Sequence, residues 1–332
     1  MAERELIRPV VLTDFRGRLN PAAVGWARRP LVDTSGIGTR HGWGRNKRWE
    51  YWNITTPTHI IALTVSSLDY AAVHEIWVLD RQTQQTWGKA ATVLPARGAS
   101  LPASLGDGPA RARAKDLQID IYDNGHTAML SARTIDVDID ITAIRPPDHD
   151  CLAVVVPWSS ERFQYTVKDI ALDASGVIHI DGHEYPVPAG QSWAVLDHGR
   201  GRWPYDIQWN WGAGSGISDG HTIGIQVGGK WTYGTGSTEN GILIDGHLHK
   251  ISEELTWDYD LKNWQRDWHI HGGGLDATLT PFYNRTASTN LLLLSSDTTQ
   301  CFGHWSGTYT TKTTTTTFTN ILGWAESVHN RW

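Results

Sequence analysis

Alternation with a period of two residues is the pattern that most limits what this chain can become. In "TIDVDIDIT" (134–142), Ile135, Val137, Ile139 and Ile141 fall on one side and Asp136, Asp138 and Asp140 on the other. That is the signature of a strand with one dry and one wet face. "LQIDIYDNG" (117–125) repeats it with Leu117, Ile119 and Ile121 and then stops at a turn dipeptide, and "HIIALTVSS" and "HEIWVLD" supply two more strands. A triplet recurs between β-rich runs: Asp181-Gly182-His183, Asp219-Gly220-His221 and Asp245-Gly246-His247. Asp-Gly suits a tight hairpin because both positions tolerate positive φ, so each histidine begins a returning strand. No long stretch carries a 3.6-residue apolar repeat. The expectation is an all-β chain of antiparallel strands closing into barrels or sandwiches. A polar break near "HGRGRWP" divides it into two lobes, 1–200 and 201–332. The Gly/Ala/Pro-rich segment 86–116 reads as a long loop. The Thr-rich tract in 308–326 reads as a late strand, because β-branched residues favour one.

Composition excludes several classes of partner. The net charge is −6 with no Lys/Arg block, which argues against nucleic acid or an anionic membrane and for a small neutral or apolar molecule. Cys151 and Cys301 lie far apart with no metal-motif spacing, so neither a disulfide framework nor a zinc site is expected and a cytoplasmic location is the simplest. The N-terminus has no apolar run of leader length. The run "LLLL" at 291–294 is far too short to span a bilayer.

The stretch "SWAVLDHGRGRWPYDIQWNWGAGSG" (192–216) gathers rings beside charges. Trp193, Val195 and Asp197 share a face, so Asp197 ends an apolar row, where a desolvated carboxyl resists ionisation. Tyr205, Ile207, Trp209 and Trp211 share another face, with Asp206, Gln208 and Asn210 opposite. The aromatic row is expected to line an interior, either as packed core or as a cavity whose wall also takes in Trp203, Asn210, Lys230, Trp231, His304 and Trp305. Glu239 follows a Gly-rich loop and would act as a second carboxylate beside Asp197 or simply cap a turn. "GAGSG" and "GTGS" complete no phosphate-loop spacing, and "GHWSG" places its serine one position too late for a nucleophile elbow. The pairs His247/His249 and His269/His271 each face one way from a strand, as two metal ligands would. Among 15 histidines such pairs arise by chance, and no metal or other cofactor is expected.

The blocks "SWAVLDHGRGRWPYDIQWNWGAGSG", "GGKWTYGTGSTENGILIDGHLHK", "TPFYNR" and "ILGWAESVHNRW", with "RWEYWNITTPTHIIALTV" and "IWVLD" before them, resemble a bacterial domain-of-unknown-function family over nearly the whole chain. The block from Trp193 to His198 is also similar to the Trp…Asp-His element of the hydroxyneurosporene synthase and tocopherol cyclase group. That resemblance implies two lipocalin-like lobes in tandem and acid-assisted hydration or cyclisation of a polyene or prenyl chain, with Asp197 and His198 on the matching positions. Beyond the histidine, "GRGRWPYDIQWNW" departs from that group.

Three readings follow. In the first, an enzyme of hydratase, cyclase or isomerase type acts on an apolar, unsaturated small molecule: Asp197 donates the proton, His198 orients or relays it, and Trp203, Trp209 and Trp211 stabilise positive charge through their π faces. In the second, the same cavity belongs to a carrier without chemistry. In the third, Trp platforms with Asp197 and Glu239 bind or cleave a glycan.

Overall fold

The computed structural model describes residues 3–291 and 294–332; Leu292 and Leu293, within the apolar run at 291–294, lie outside the described residues. Strands dominate, and the one helical element among the described residues is a 3-10 turn at Pro21–Ala23. The chain divides between Trp203 and Pro204 into two compact units, with Glu3 and Arg4 belonging to the second.

The N-terminal unit, Glu5–Trp203, is built on one large sheet. In spatial order its strands are Thr86–Val93, Ala72–Asp80, His59–Ser67, Asn46–Thr55, Trp193–Arg202, Phe163–Ile180, Val137–Ile144, Thr127–Arg133, Leu117–Asp123, Ala110–Ala114 and Ala99–Ser100. The sheet curls, so that its last three strands lie against His59–Ser67 and Ala72–Asp80. Phe163–Ile180 serves both halves: a register shift between Asp169 and Leu172, with Ala171 at φ +58°, bends it. Its early part pairs with Leu152–Pro157 and its late part with Val137–Ile144, which is how a β-bulge redirects a strand.

Local sequence accounts for these elements. All three Asp-Gly pairs form two-residue hairpins with φ +50° at Asp and φ +79° to +84° at Gly, and His183, His221 and His247 each open the returning strand. Val137, Ile139 and Ile141 face the core as the alternation requires. Ile135, assigned to the same face, is instead in the preceding turn and 77% exposed. Segment 86–116 is not one loop, since it contributes three strands. "ARARA" (110–114) alternates Ala110 and Ala112 inside with Arg111 and Arg113 outside, a period of two hidden by the small size of its apolar member. The Thr-rich tract is likewise split, with a turn closed by Thr311 N–H to Thr314 C=O between Leu294–Thr310 and Thr315–Arg331.

The second unit holds a nine-stranded antiparallel sheet in the order His247–Ile251, Asn240–Ile244, His221–Gly229, Asp206–Ser218, Thr315–Arg331, Leu294–Thr310, Leu275–Leu291, Trp268–Gly272, Thr256–Asp258. Its core includes Ile223, Ile225, Val227, Trp268, Ile270, Leu279, Trp305 and Ile321. Trp305 lies across Gly212 and Gly214, where a Cβ would come within 2.9 and 2.7 Å of the indole. These glycines are the floor on which a large ring sits. Gly214→Val is expected to cost about 1–3 kcal/mol through overpacking, and Trp305→Leu in the same chain should recover part of it. Urea unfolding followed by circular dichroism measures both; a Gly214→Val protein as stable as the parent would remove Trp305 from that face.

Candidate functional site

Asp197 and His198 leave strand Trp193–Arg202 on opposite faces, as consecutive strand residues must. Asp197 is on the outer face, where Oδ2 lies 2.9 Å from Lys168 Nζ and Oδ1 accepts from Thr166 Oγ1 at 3.2 Å. The carboxyl that closes an apolar row in sequence therefore sits in a buried ion pair. Neither Arg200 nor Arg202 supplies its partner: Arg200 points inward to Glu50, and Arg202 donates to Asn46 Oδ1 and the Gly17 carbonyl. Alternation alone prevents His198 from orienting Asp197 as a proton donor.

His198 joins an inner polar layer. Registers place Glu50 beside it on Asn46–Thr55 and Val167 on Phe163–Ile180, with Tyr165 next to Arg200. Glu50, Tyr165, His198 and Arg200 are each at most 2% exposed. On one side of the layer are Trp52, Ile54, Leu63, Ile76, Leu172 and Leu196; on the other are Leu12, Val32, Val155, Phe163 and Val167. Arg200 Nη2 reaches Glu50 Oε1 at 3.3 Å and the Pro102 carbonyl at 3.2 Å, while Nη1 donates to the carbonyls of Trp49 and Gly199. His198 Nδ1 stands 3.6 Å from Glu50 Oε1, just outside hydrogen-bond range, and among the described residues neither ring nitrogen has a hydrogen-bond partner. Tyr165 meets the imidazole edge-on with centroids 6.4 Å apart. Farther along the same inner row, His74 is fully buried, and neither ring nitrogen has a hydrogen-bond partner among the described residues.

Charge in this layer is well defined. Burial and the neighbouring Arg200 push His198 down to about 4, so the ring is neutral at physiological pH. Burial pushes the Glu50 carboxyl up, but His198 and the Arg200 guanidinium outweigh it and hold Glu50 below its ordinary value. Burial lowers Arg200 to about 10, still protonated. It raises the Tyr165 phenol well above its usual range, so the hydroxyl stays a neutral donor. A carboxylate facing Nδ1 favours the tautomer with its proton there, leaving Nε2 with a lone pair. The layer thus combines a neutral imidazole base, a fixed anion that steadies it, and a phenol.

Reading along the sequence missed Tyr165 and Arg200 as site residues, and it also missed Glu50 and His74. The signal was present: in "RWEYWNI" Arg48 and Glu50 alternate with Trp52 and Ile54, and in "HEIWV" His74 shares a face with Ile76 and Val78. A charge or imidazole on the dry face of a strand is the anomaly to look for.

In the second unit the row of Tyr205, Ile207, Trp209 and Trp211 does not face the core around Trp268 and Trp305, although Ile207 and Trp211 are buried on their own face. Asn210, with Gly212, Gly214 and Gly216, faces the core, where its Nδ2 donates to Tyr259 Oη at 3.1 Å. Trp209 and Trp211 are on the opposite face with Trp324, Phe302 and Glu326. There Trp209 Nε1 donates to Glu326 at 3.0 Å and Trp211 Nε1 to Gln226 at 2.9 Å. The glycines decide it, since only the face without Cβ atoms has room for Trp305. Gln226 also reaches the Glu239 carbonyl, and the buried Glu239 side chain lies against Gly228. Lys230, at φ +68°, donates to Tyr259 Oη at 2.8 Å. Trp231 is buried, Tyr205 is 43% exposed, and His304 is half-buried beside Phe282. Trp203 belongs to the first unit, edge-on to Trp49 and Trp158 and bonded to Gln164. Asp197 and Glu239 thus belong to different units.

Among solved structures, kievitone hydratase from Nectria haematococca superposes with a TM-score of 0.54 at 11% identity, covering 87% of this chain and 89% of that one. CghA gives 0.55 at 10% identity, with coverage of 86% and 88%. CghA with Sch210972 gives 0.51 at 11%, again over 86% and 88%. These likenesses define the fold as the lipocalin-like one of those proteins. No curated protein matches the sequence. Residues 3–332 match the family described as "Domain of unknown function (DUF2804)", and the chain is a member of that family.

Proposed function

We propose that the N-terminal unit binds a largely apolar small molecule bearing an oxygen function and carries out acid–base chemistry on it, of the hydration, cyclisation or isomerisation type. The observation that carries this reading is the polar layer of Glu50, Tyr165, His198 and Arg200 set between two apolar clusters. A few converging polar groups in an apolar surround are what orient a small ligand. His198 Nε2 takes or returns the proton, Glu50 stabilises the imidazolium that forms transiently, Arg200 keeps Glu50 ionised, and the Tyr165 hydroxyl donates to the substrate oxygen. Leu101 and Leu105 pack on the apolar clusters beside Pro102, whose carbonyl caps Arg200, so this segment serves as the cover. The likeness to kievitone hydratase, a hydratase by name, supports the class. The glycan reading needs open Trp platforms, and Trp203, Trp211, Trp231 and Trp305 are all buried.

Native mass spectrometry of the untagged protein from its own host identifies the retained molecule, and incubation tests its turnover. His198→Asn is expected to keep the fold and the bound molecule while slowing turnover about 10²–10⁴-fold. Glu50→Gln should slow it by a smaller factor. Unchanged turnover in His198→Asn removes this histidine from the chemistry; a molecule retained and released unaltered by the parent protein makes it a carrier.

A further inference from the structure

We propose that Asp258, His269 and His271 form a site for one divalent cation of the zinc class on the outer face of the C-terminal sheet. His269 and His271 lie two residues apart on Trp268–Gly272 and project the same way, with rings stacked at 4.8 Å between centroids. Asp258 stands directly opposite His269 on the edge strand Thr256–Asp258. One ligand atom from each of the three lies within 4.8 Å of the others. Asp258 Oδ2 is 3.3 Å from His271 Nε2 and 3.9 Å from His269 Nδ1. Ligands about 2.1 Å from a tetrahedral zinc stand about 3.4 Å apart, so small side-chain rotations complete the triad.

The other nitrogen of His269 has a carboxylate of its own. Its Nε2 meets Asp276 Oδ1 on the third strand at 2.9 Å. A metal-bound histidine usually donates its remaining N–H to a carboxylate, which fixes the ring and raises its basicity. Asp276 is placed for that role, and Nδ1 is thereby the nitrogen that turns to the cation. Two neutral imidazoles and one carboxylate are a borderline-soft donor set that suits zinc, cobalt or nickel rather than calcium or magnesium. The fourth position would be open to water. The three-residue edge strand contributes one ligand and its neighbour two, so the cation clasps an edge that few backbone bonds hold. The flanking Trp257 and Tyr259 turn to the other face, where Tyr259 stacks on Trp268 at 4.1 Å.

The test uses the untagged full-length chain, stripped with chelator, titrated with Zn²⁺ by calorimetry and with Co²⁺ by visible absorption. One saturable site in the micromolar range is expected, with a tetrahedral cobalt spectrum. The His269→Ala/His271→Ala double variant should abolish it, Asp276→Asn should weaken it about 10–100-fold, and His247→Ala/His249→Ala should leave it unchanged. Circular dichroism confirms that each variant is folded. Absence of a saturable site, or one that survives loss of both histidines, overturns the proposal.

Discussion

Acidification from pH 7 to pH 4 is expected to remove about 3 kcal/mol of stability from the N-terminal unit for each of His74 and His198. His74 and His198 are fully buried, and both are pushed from an ordinary 6.5 down to about 4, His74 by desolvation alone and His198 by desolvation and Arg200. Between these values the unfolded chain binds a proton on each ring and the folded chain does not. Stability therefore rises with pH across the window and falls as acid is added. Asp169, whose folded carboxyl is held below its ordinary value by Arg145 and His149 against the cost of burial, adds an acid loss of its own. That loss begins only as pH falls through the carboxylate range, so the two contributions separate. His74→Leu isolates one ring: it should cost little at pH 7, because the ring makes no hydrogen bond among the described residues, and gain about 3 kcal/mol over the parent at pH 4. Urea melts at pH 7, 5.5 and 4 measure this. Parallel pH profiles for parent and variant would show that His74 is protonated in the folded state.

Arg145→Met should be the most damaging single change in the same unit, at about 3–5 kcal/mol and roughly 10 °C in melting temperature. Arg145 bridges Asp123 and Asp169 and donates to both: Nη1 and Nη2 reach Asp123 at 2.9 and 2.8 Å, and Nε reaches Asp169. His149 Nε2 completes the set at 3.0 Å from Asp169. Both carboxylates are at most 4% exposed, so removing the guanidinium strands two buried anions. The paired Asp123→Asn change in the Met variant should restore part of the loss, because an amide needs no counter-charge. Calorimetric melting decides it, and a fall below about 1 kcal/mol would mean that water already reaches the carboxylates.

Much of the architecture follows from short-range pattern. The Asp-Gly hairpins, the alternation in Leu117–Asp123 and Val137–Ile144, and the absence of a helical repeat depend on residues that are neighbours in sequence, and a strand's two faces are set by parity alone. Parity is also enough to put Asp197 and His198 on opposite faces. It does not say which face is inside. At Asp206–Ser218 both faces carry buried side chains, and it is the glycines, not the rings, that meet Trp305, some 90 residues later, because that indole needs a surface without Cβ atoms.

Partners in space are the other thing that local pattern leaves open. Asp197 had a legible apolar row, yet its neighbour across the ladder is Lys168, and Glu50 meets His198 from a strand about 150 residues earlier. The pair His269/His271 is unremarkable as a spacing and becomes a cluster only because Asp258 and Asp276 arrive from the strands on either side. That this chain is β, where its hairpins turn and which side chains share a face were all written in the order of its residues, since these depend on local stereochemistry. Which face is buried and which charges meet came from the folded sheet, because strand order and register bring together residues whose separation along the chain carries no information about their distance in space.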